Sequence, residues 1–214
     1  MKIIALIGDI VSSKEIQDRA LIQRKLENVL HQLNLDNKSL LSPYTITLGD
    51  EFQAVFGQSG LLFYDMVRIL SALSPVKVRF ALGVGTLDTP INPKQSIGMD
   101  GPAFHAARAG IEELKSGSFL FTIKGIEQHA IDLANQSLKL LSRHLDKWND
   151  TRLHIFEMYN QNLLVKEIVE KLNAEKLKIS EQAVYKSIAH GDLEVVQGIF
   201  RSVAQVINEN MEES

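Results

Sequence analysis

The chain has 214 residues, 45% of them hydrophobic and 23% charged, with a formal net charge of -3. That composition is of an ordinary globular protein, and it excludes extended disorder. There is no cysteine, so a disulfide framework, a thiolate zinc site and a cysteine nucleophile are excluded.

The residues from Lys2 to Asp9 carry Ile3, Ile4 and Ile7 and read as a buried strand. The apolar run is too short for a signal peptide, and Gly8-Asp9 breaks it. No run approaches the roughly 20 apolar residues of a membrane span. A cytoplasmic protein is the expectation. Ser12-Ser13 is read as a helix start, with Ser as cap, and Leu21, Ile22, Leu26, Val29, Leu30 and Leu33 carry that helix to about Asn34. Tyr44–Leu48 and Phe52–Phe56 are strands, and Gly49-Asp50 makes them a tight hairpin. Leu61–Leu73 is helical, Val76–Val84 a strand, Asp88–Gly101 a loop, Ala103–Lys115 a helix rich in small residues, and Phe119–Ile123 a short strand.

The first six elements form a ferredoxin-like βαββαβ unit, an α+β fold whose antiparallel sheet carries its helices on one face. From Ile131 only helical periodicity continues. The expected division is an α/β domain over 1–128 and an all-α domain over 129–214.

Asp9 ends the first strand and Asp50 sits on the hairpin. In a βαββ unit these elements are neighbours, so the two carboxylates are expected to converge. A Mg²⁺ or Mn²⁺ ion held by one or two carboxylates plus phosphate oxygens would relieve their repulsion. The backbone of Ile10, Val11, Ser12 and Ser13 leads into a helix N-terminus, which favours phosphate. The alternative is that Asp9 caps the helix and Gly49-Asp50 is turn chemistry. Asp100 could contact a base or ribose, or cap the helix ahead of Pro102. His105 could hydrogen-bond a substrate, serve as general acid or base near neutral pH, or sit idle on a helix face. Arg108 could bind phosphate bidentately or pair with Glu112 at i+4.

Taken together, Asp9-Ile10-Val11, Gly49-Asp50-Glu51-Phe52, Arg79-Phe80-Ala81-Leu82-Gly83-Val84-Gly85 and Ala106-Ala107-Arg108 resemble, in order, the motifs of class III nucleotide cyclases. The hairpin is equally similar to that of diguanylate cyclases. The resemblance implies metal at Asp9 and Asp50, phosphate contact by Arg108, and a homodimer whose site spans two subunits. The departures lie in base recognition: Ile46 stands where adenylyl cyclases have a lysine, Phe104 where they have an asparagine, and Leu48 where diguanylate cyclases have a glycine. Cyclisation is not implied. Over the whole chain, Ile-Gly-Asp-Ile-Val-Ser-Ser, Leu-Gly-Asp-Glu-Phe-Gln and Gly-Met-Asp-Gly-Pro-Ala-Phe-His-Ala-Ala-Arg resemble the SatD family of bacterial proteins, linked by name to acid tolerance.

Val165–Leu172, the turn Asn173–Lys178 and a helix capped by Ser180 resemble a helix-turn-helix, with Gln182, Tyr185 and Lys186 exposed to DNA. Beyond residue 150, however, seven basic residues face ten acidic ones, and DNA affinity rests on phosphate neutralisation. A packing bundle is the alternative. The sequence therefore reads as a metal-dependent binder of a nucleotide or other phosphate ligand, or else as a DNA-binding regulator with a cyclase-like sensor domain.

Overall fold

A computed structural model describes residues 1–212. Its strands are β1 (Ile3–Ile10), β2 (Leu40–Ile46), β3 (Glu51–Phe56), β4 (Val78–Gly85) and β5 (Phe121–Lys124). Its α-helices are α1 (Arg19–Asp36), α2 (Leu62–Leu73), α3 (Pro102–Ser116), α4 (His129–Leu145), α5 (Asp150–Asn160), α6 (Val165–Ala174), α7 (Glu181–His190) and α8 (Leu193–Glu212).

The strand order is β2-β3-β1-β4-β5. The first four strands pair antiparallel in the ferredoxin-like order. The sheet as a whole is mixed, because β5 joins β4 in parallel. A parallel neighbour needs a long crossover, and α3 provides it. All eight residues of β1 are buried, as expected of a central strand covered on both faces.

That double cover differs from the one-sided arrangement expected from sequence. One face packs against α1 and α2, through Ile4, Leu6, Phe52 and Phe80. The other packs against α3, through Ile3, Ala5, Ile7, Val55 and Ala81. α3 comes close because small residues line its contact. A Cβ on Gly83 would collide with the backbone of Ala103 and Ala107, and one on Gly110 would stand 2.9 Å from Ala81 and Thr122. Ala103 and Ala107 are thus consumed by packing on the chain's own sheet.

An aromatic row crosses the first face. Tyr44, Phe52, Phe80, Phe121 and Phe200 lie in sequence with ring centres 5.9–6.2 Å apart. The row crosses β1 at Gly8, which is opposite both Phe52 and Phe80. A Cβ there would run into the Phe52 ring. Through Phe121 and Phe200 the row leads into α8, so one apolar cluster runs from Ile4 to Ile207. Polar ties reinforce this seam: Ser59 Oγ donates to the Ala204 carbonyl at 2.7 Å, and Lys2 Nζ to the Asn210 carbonyl at 2.9 Å.

Local starts and stops also differ from the sequence reading. After β1 comes a three-residue 3₁₀ turn, Ser13–Glu15. α1 begins only at Arg19, capped by Asp18, whose carboxylate accepts from Leu21 N at 2.9 Å. Ser12 is therefore not the helix cap. In the hairpin, Asp50 N donates to the Leu48 carbonyl at 2.7 Å across Gly49, whose φ is 72°. Glycine suits that left-handed turn.

Candidate ligand-binding face beside helix α3

Residues i and i+2 of a strand share a face, so Asp9 follows Ile3, Ala5 and Ile7 onto the α3 side. It is paired in register with Glu51 of β3 and with Arg79 of β4. Ile10 N donates to the Asp50 carbonyl at 3.0 Å. By the antiparallel alternation, Asp9 and Glu51 are therefore a non-hydrogen-bonded pair, the kind with the closer side chains. Both are buried, with relative exposures of 6% and 4%. Two like charges directly opposite one another are destabilising and need compensation.

Three cations supply it. Arg79 Nη1 donates to Asp9 Oδ2 at 2.9 Å, and Lys115 Nζ stands 3.4 Å from Asp9 Oδ1. Arg108 forms a two-pronged pair with Glu51, at 2.5 and 2.7 Å. That hydrogen-bonded carboxylate raises the basicity of the Arg108 guanidinium above its ordinary value. Arg108 and Lys115 are two turns apart on α3, about 10.5 Å along the helix axis. Their side chains are 45% and 40% exposed, against 5% and 8% for Glu51 and Asp9. Solvent therefore meets the cations, with the carboxylates beneath them.

The predicted site residues divide accordingly. Asp9 and Arg108 belong to this cluster. Asp50 does not: its carboxylate accepts from Ser13 Oγ, in a recess shared with Ile10, Ile16 and Ile22 on the α1 side. Extended backbone alternates faces, so Glu51 takes the place beside Asp9 that the sequence reading gave to Asp50. The backbone phosphate cradle is not formed either. Ile10 N and Val11 N are spent on the carbonyls of Asp50 and Lys77, at 3.0 and 2.9 Å. Ser12 is exposed with φ 50°, Ser13 is buried against Asp50, and the helix N-terminus lies further on, at Asp18.

Asp100 and His105 pair with each other at 2.8 Å at the exposed start of α3. Asp100 also accepts from Gly101 N at 2.9 Å, while Gly101 itself is the cap. His105 lies one turn before Arg108 on the same ridge. Arg108 pairs with Glu51, not with Glu112. Phe104 is buried against the sheet and Ile46 is partly buried against the main cluster. Glu51, Arg79 and Lys115 went unassigned in the sequence reading. The period-2 pattern of the strands and the seven-residue step from Arg108 were the signals that pointed to them.

In the helical part, α6 and α7 pack against each other. Asn173 clamps the turn, its side chain bonding both N–H and C=O of Ile179 at 2.7 and 3.0 Å. Ser180 caps α7 by accepting from Ala183 N at 3.2 Å. Gln182, Tyr185 and Lys186 are exposed on α7.

The SatD family matches residues 3–205. The chain belongs to the SatD family. No curated protein matches it significantly. A solved bacterial light-regulated adenylyl cyclase is similar over 57% of this chain at 15% identity, with a TM-score of 0.43. The match covers 43% of that cyclase chain. Among the described residues, no helix of this SatD-family chain is long and apolar enough to cross a membrane.

Proposed function

We propose that this SatD-family protein binds a nucleotide or other phosphate-bearing small molecule on the Asp9–Glu51 face, with Arg108 and Lys115 as the anion contacts. The observation that carries this reading is the layering of charge: two opposed, buried carboxylates under cations whose heads reach solvent. A purely structural ion pair does not require two acids to be placed against each other.

Among the described residues, no group of three or more acidic or histidine side chains could hold a metal ion. The Asp9–Glu51 pair instead fits a Mg²⁺ or Mn²⁺ ion that arrives with a phosphate ligand, since such ions use one or two carboxylates and keep water or phosphate oxygens. When bound, the ion would neutralise the carboxylates and phosphate charge. The protein's own part is to hold Asp9 and Glu51 rigidly on the sheet and to present Arg108 and Lys115 from α3, freed to contact phosphate. With the base-reading positions changed, binding without cyclisation is the activity this arrangement supports.

The test is thermal unfolding with ATP, GTP and pyrophosphate, each with and without Mn²⁺. A ligand at 100 times its Kd adds about 2.7 kcal/mol. Stabilisation should be lost in Arg108→Ala/Lys115→Ala. No stabilisation by any of these ligands, or equal stabilisation of that variant, overturns the reading.

A further inference from the structure

A second recess lies away from the charged face, where α2 meets α5 and α8, and encloses about 420 Å³. Phe63 and Phe200 form its apolar wall, stacked at 5.0 Å with ring planes 23° apart. Its rim is made of amides and one charge. Arg201 Nη2 donates to Gln197 Oε1 at 2.8 Å, and Gln197 Nε2 donates to Asn160 Oδ1 at 3.1 Å. This chain of bonds orients the guanidinium and engages one of its five donors. No acidic residue lines the recess, and Arg201 has no carboxylate partner among the described residues. The end of α5 also borders the recess, and exposed carbonyls at a helix C-terminus repel anions. Here they are capped: Asn162, with φ 58°, donates to the Tyr159 carbonyl at 3.0 Å, and Leu163 N to the Met158 carbonyl at 3.3 Å.

We infer that this recess is a binding site for a small organic anion with a planar, apolar body. The body lies along the Phe63–Phe200 wall, where ring contacts stabilise beyond simple burial. The anionic group meets Arg201, whose planar fork suits a carboxylate, sulfonate or phosphate. An apolar cavity with a few placed polar groups is the general form of such sites. None of its residues belongs to the sheet face, so the two sites succeed or fail independently.

The probe is 1-anilinonaphthalene-8-sulfonate, an aromatic sulfonate with a planar naphthalene core, titrated by fluorescence into the full chain. One site per chain is expected. Arg201→Gln should weaken binding by about tenfold or more, the loss of a charge-assisted contact, and Arg201→Lys should recover part of it. Ala204→Phe, which fills the recess, should abolish binding. Ser202→Trp, in the separate apolar groove between α4 and α8, should leave it unchanged. Arg201 is exposed, so its variants keep the test valid even if Ala204→Phe unfolds the chain. Absence of binding to the folded protein, unchanged binding in Arg201→Gln, or loss in Ser202→Trp overturns the inference.

Discussion

Asp9 and Glu51 stand directly opposite each other on β1 and β3, and among the described residues no cation is in ion-pair contact with both: Arg79 and Lys115 contact Asp9, while Arg108 contacts Glu51 and feels the Asp9 charge at longer range. The chain thus keeps two buried acids in the geometry with the closer side chains, and gives each its own contacting cation.

The first prediction follows from that asymmetry of burial. Arg108→Ala leaves the Glu51 carboxylate buried without its contacting countercharge and should cost about 1–3 kcal/mol in urea unfolding, below the roughly 3–5 kcal/mol of fully buried pairs because the Arg108 side chain is half exposed. Glu51→Gln removes the repulsion with Asp9 and leaves Arg108 free to hydrate, so it should change stability by less than about 1 kcal/mol. Equal losses in the two variants would contradict this ordering.

The second prediction separates Glu51 from Asp50. With a nucleotide present, the Mn²⁺-dependent part of the thermal shift should vanish in Asp9→Asn/Glu51→Gln. It should persist in Asp50→Asn, whose carboxylate is turned to Ser13. Calorimetric titration of Mn²⁺ into each variant checks it, and loss of the response in Asp50→Asn would contradict it.

The third prediction concerns pH. Asp65 on α2 is 1% exposed and accepts from Asn37 Nδ2 at 2.7 Å and Tyr44 Oη at 3.1 Å. Burial pushes its carboxyl up to about 6 from 3.8. Between those values the native state holds the proton more tightly than the unfolded chain. Stability contributed by this group is therefore full below about pH 4, falls as pH rises through 6, and then levels off. The total is about 3 kcal/mol by linkage. Asp65→Asn should remove this descending limb from a plot of unfolding free energy against pH. An unchanged slope in the variant would place its origin elsewhere.

The fourth prediction tests the aromatic row. Gly8→Val must displace the Phe52 ring and should destabilise by about 3 kcal/mol or more, from overpacking in a filled core. Gly8→Ala should fall below that but in the same direction. Gly49→Ala, where a Cβ meets open space but φ is 72°, should cost only about 1–2 kcal/mol of backbone strain. Thermal melts of the three variants give the order.

By itself, the sequence determined the succession of elements, because burial writes a period of 2 or 3.6 into the chain. Ile3–Ile7 marked β1, the Leu61–Leu73 stripe marked α2, and Ser180 marked the start of α7 through its cap. It also marked Asp9 and Arg108 as chemically distinctive. What it left open was where each side chain points. Asp50 and Glu51 are adjacent, and only the register of β3 on β1 decides which one meets Asp9, since a shift of one residue exchanges the faces. The start of α1 was misplaced because Ser12 and Asp18 both carry capping oxygens, and the 3₁₀ turn after β1 decides between them. The partners of Arg108 were hidden for the same kind of reason. Glu112 is near in sequence, but the close seating of α3 on Gly83 brings in Glu51 from a distant strand. Local periodicity is a property of the chain, whereas the meeting of charges depends on which faces the sheet presses together, and only the tertiary structure determines that.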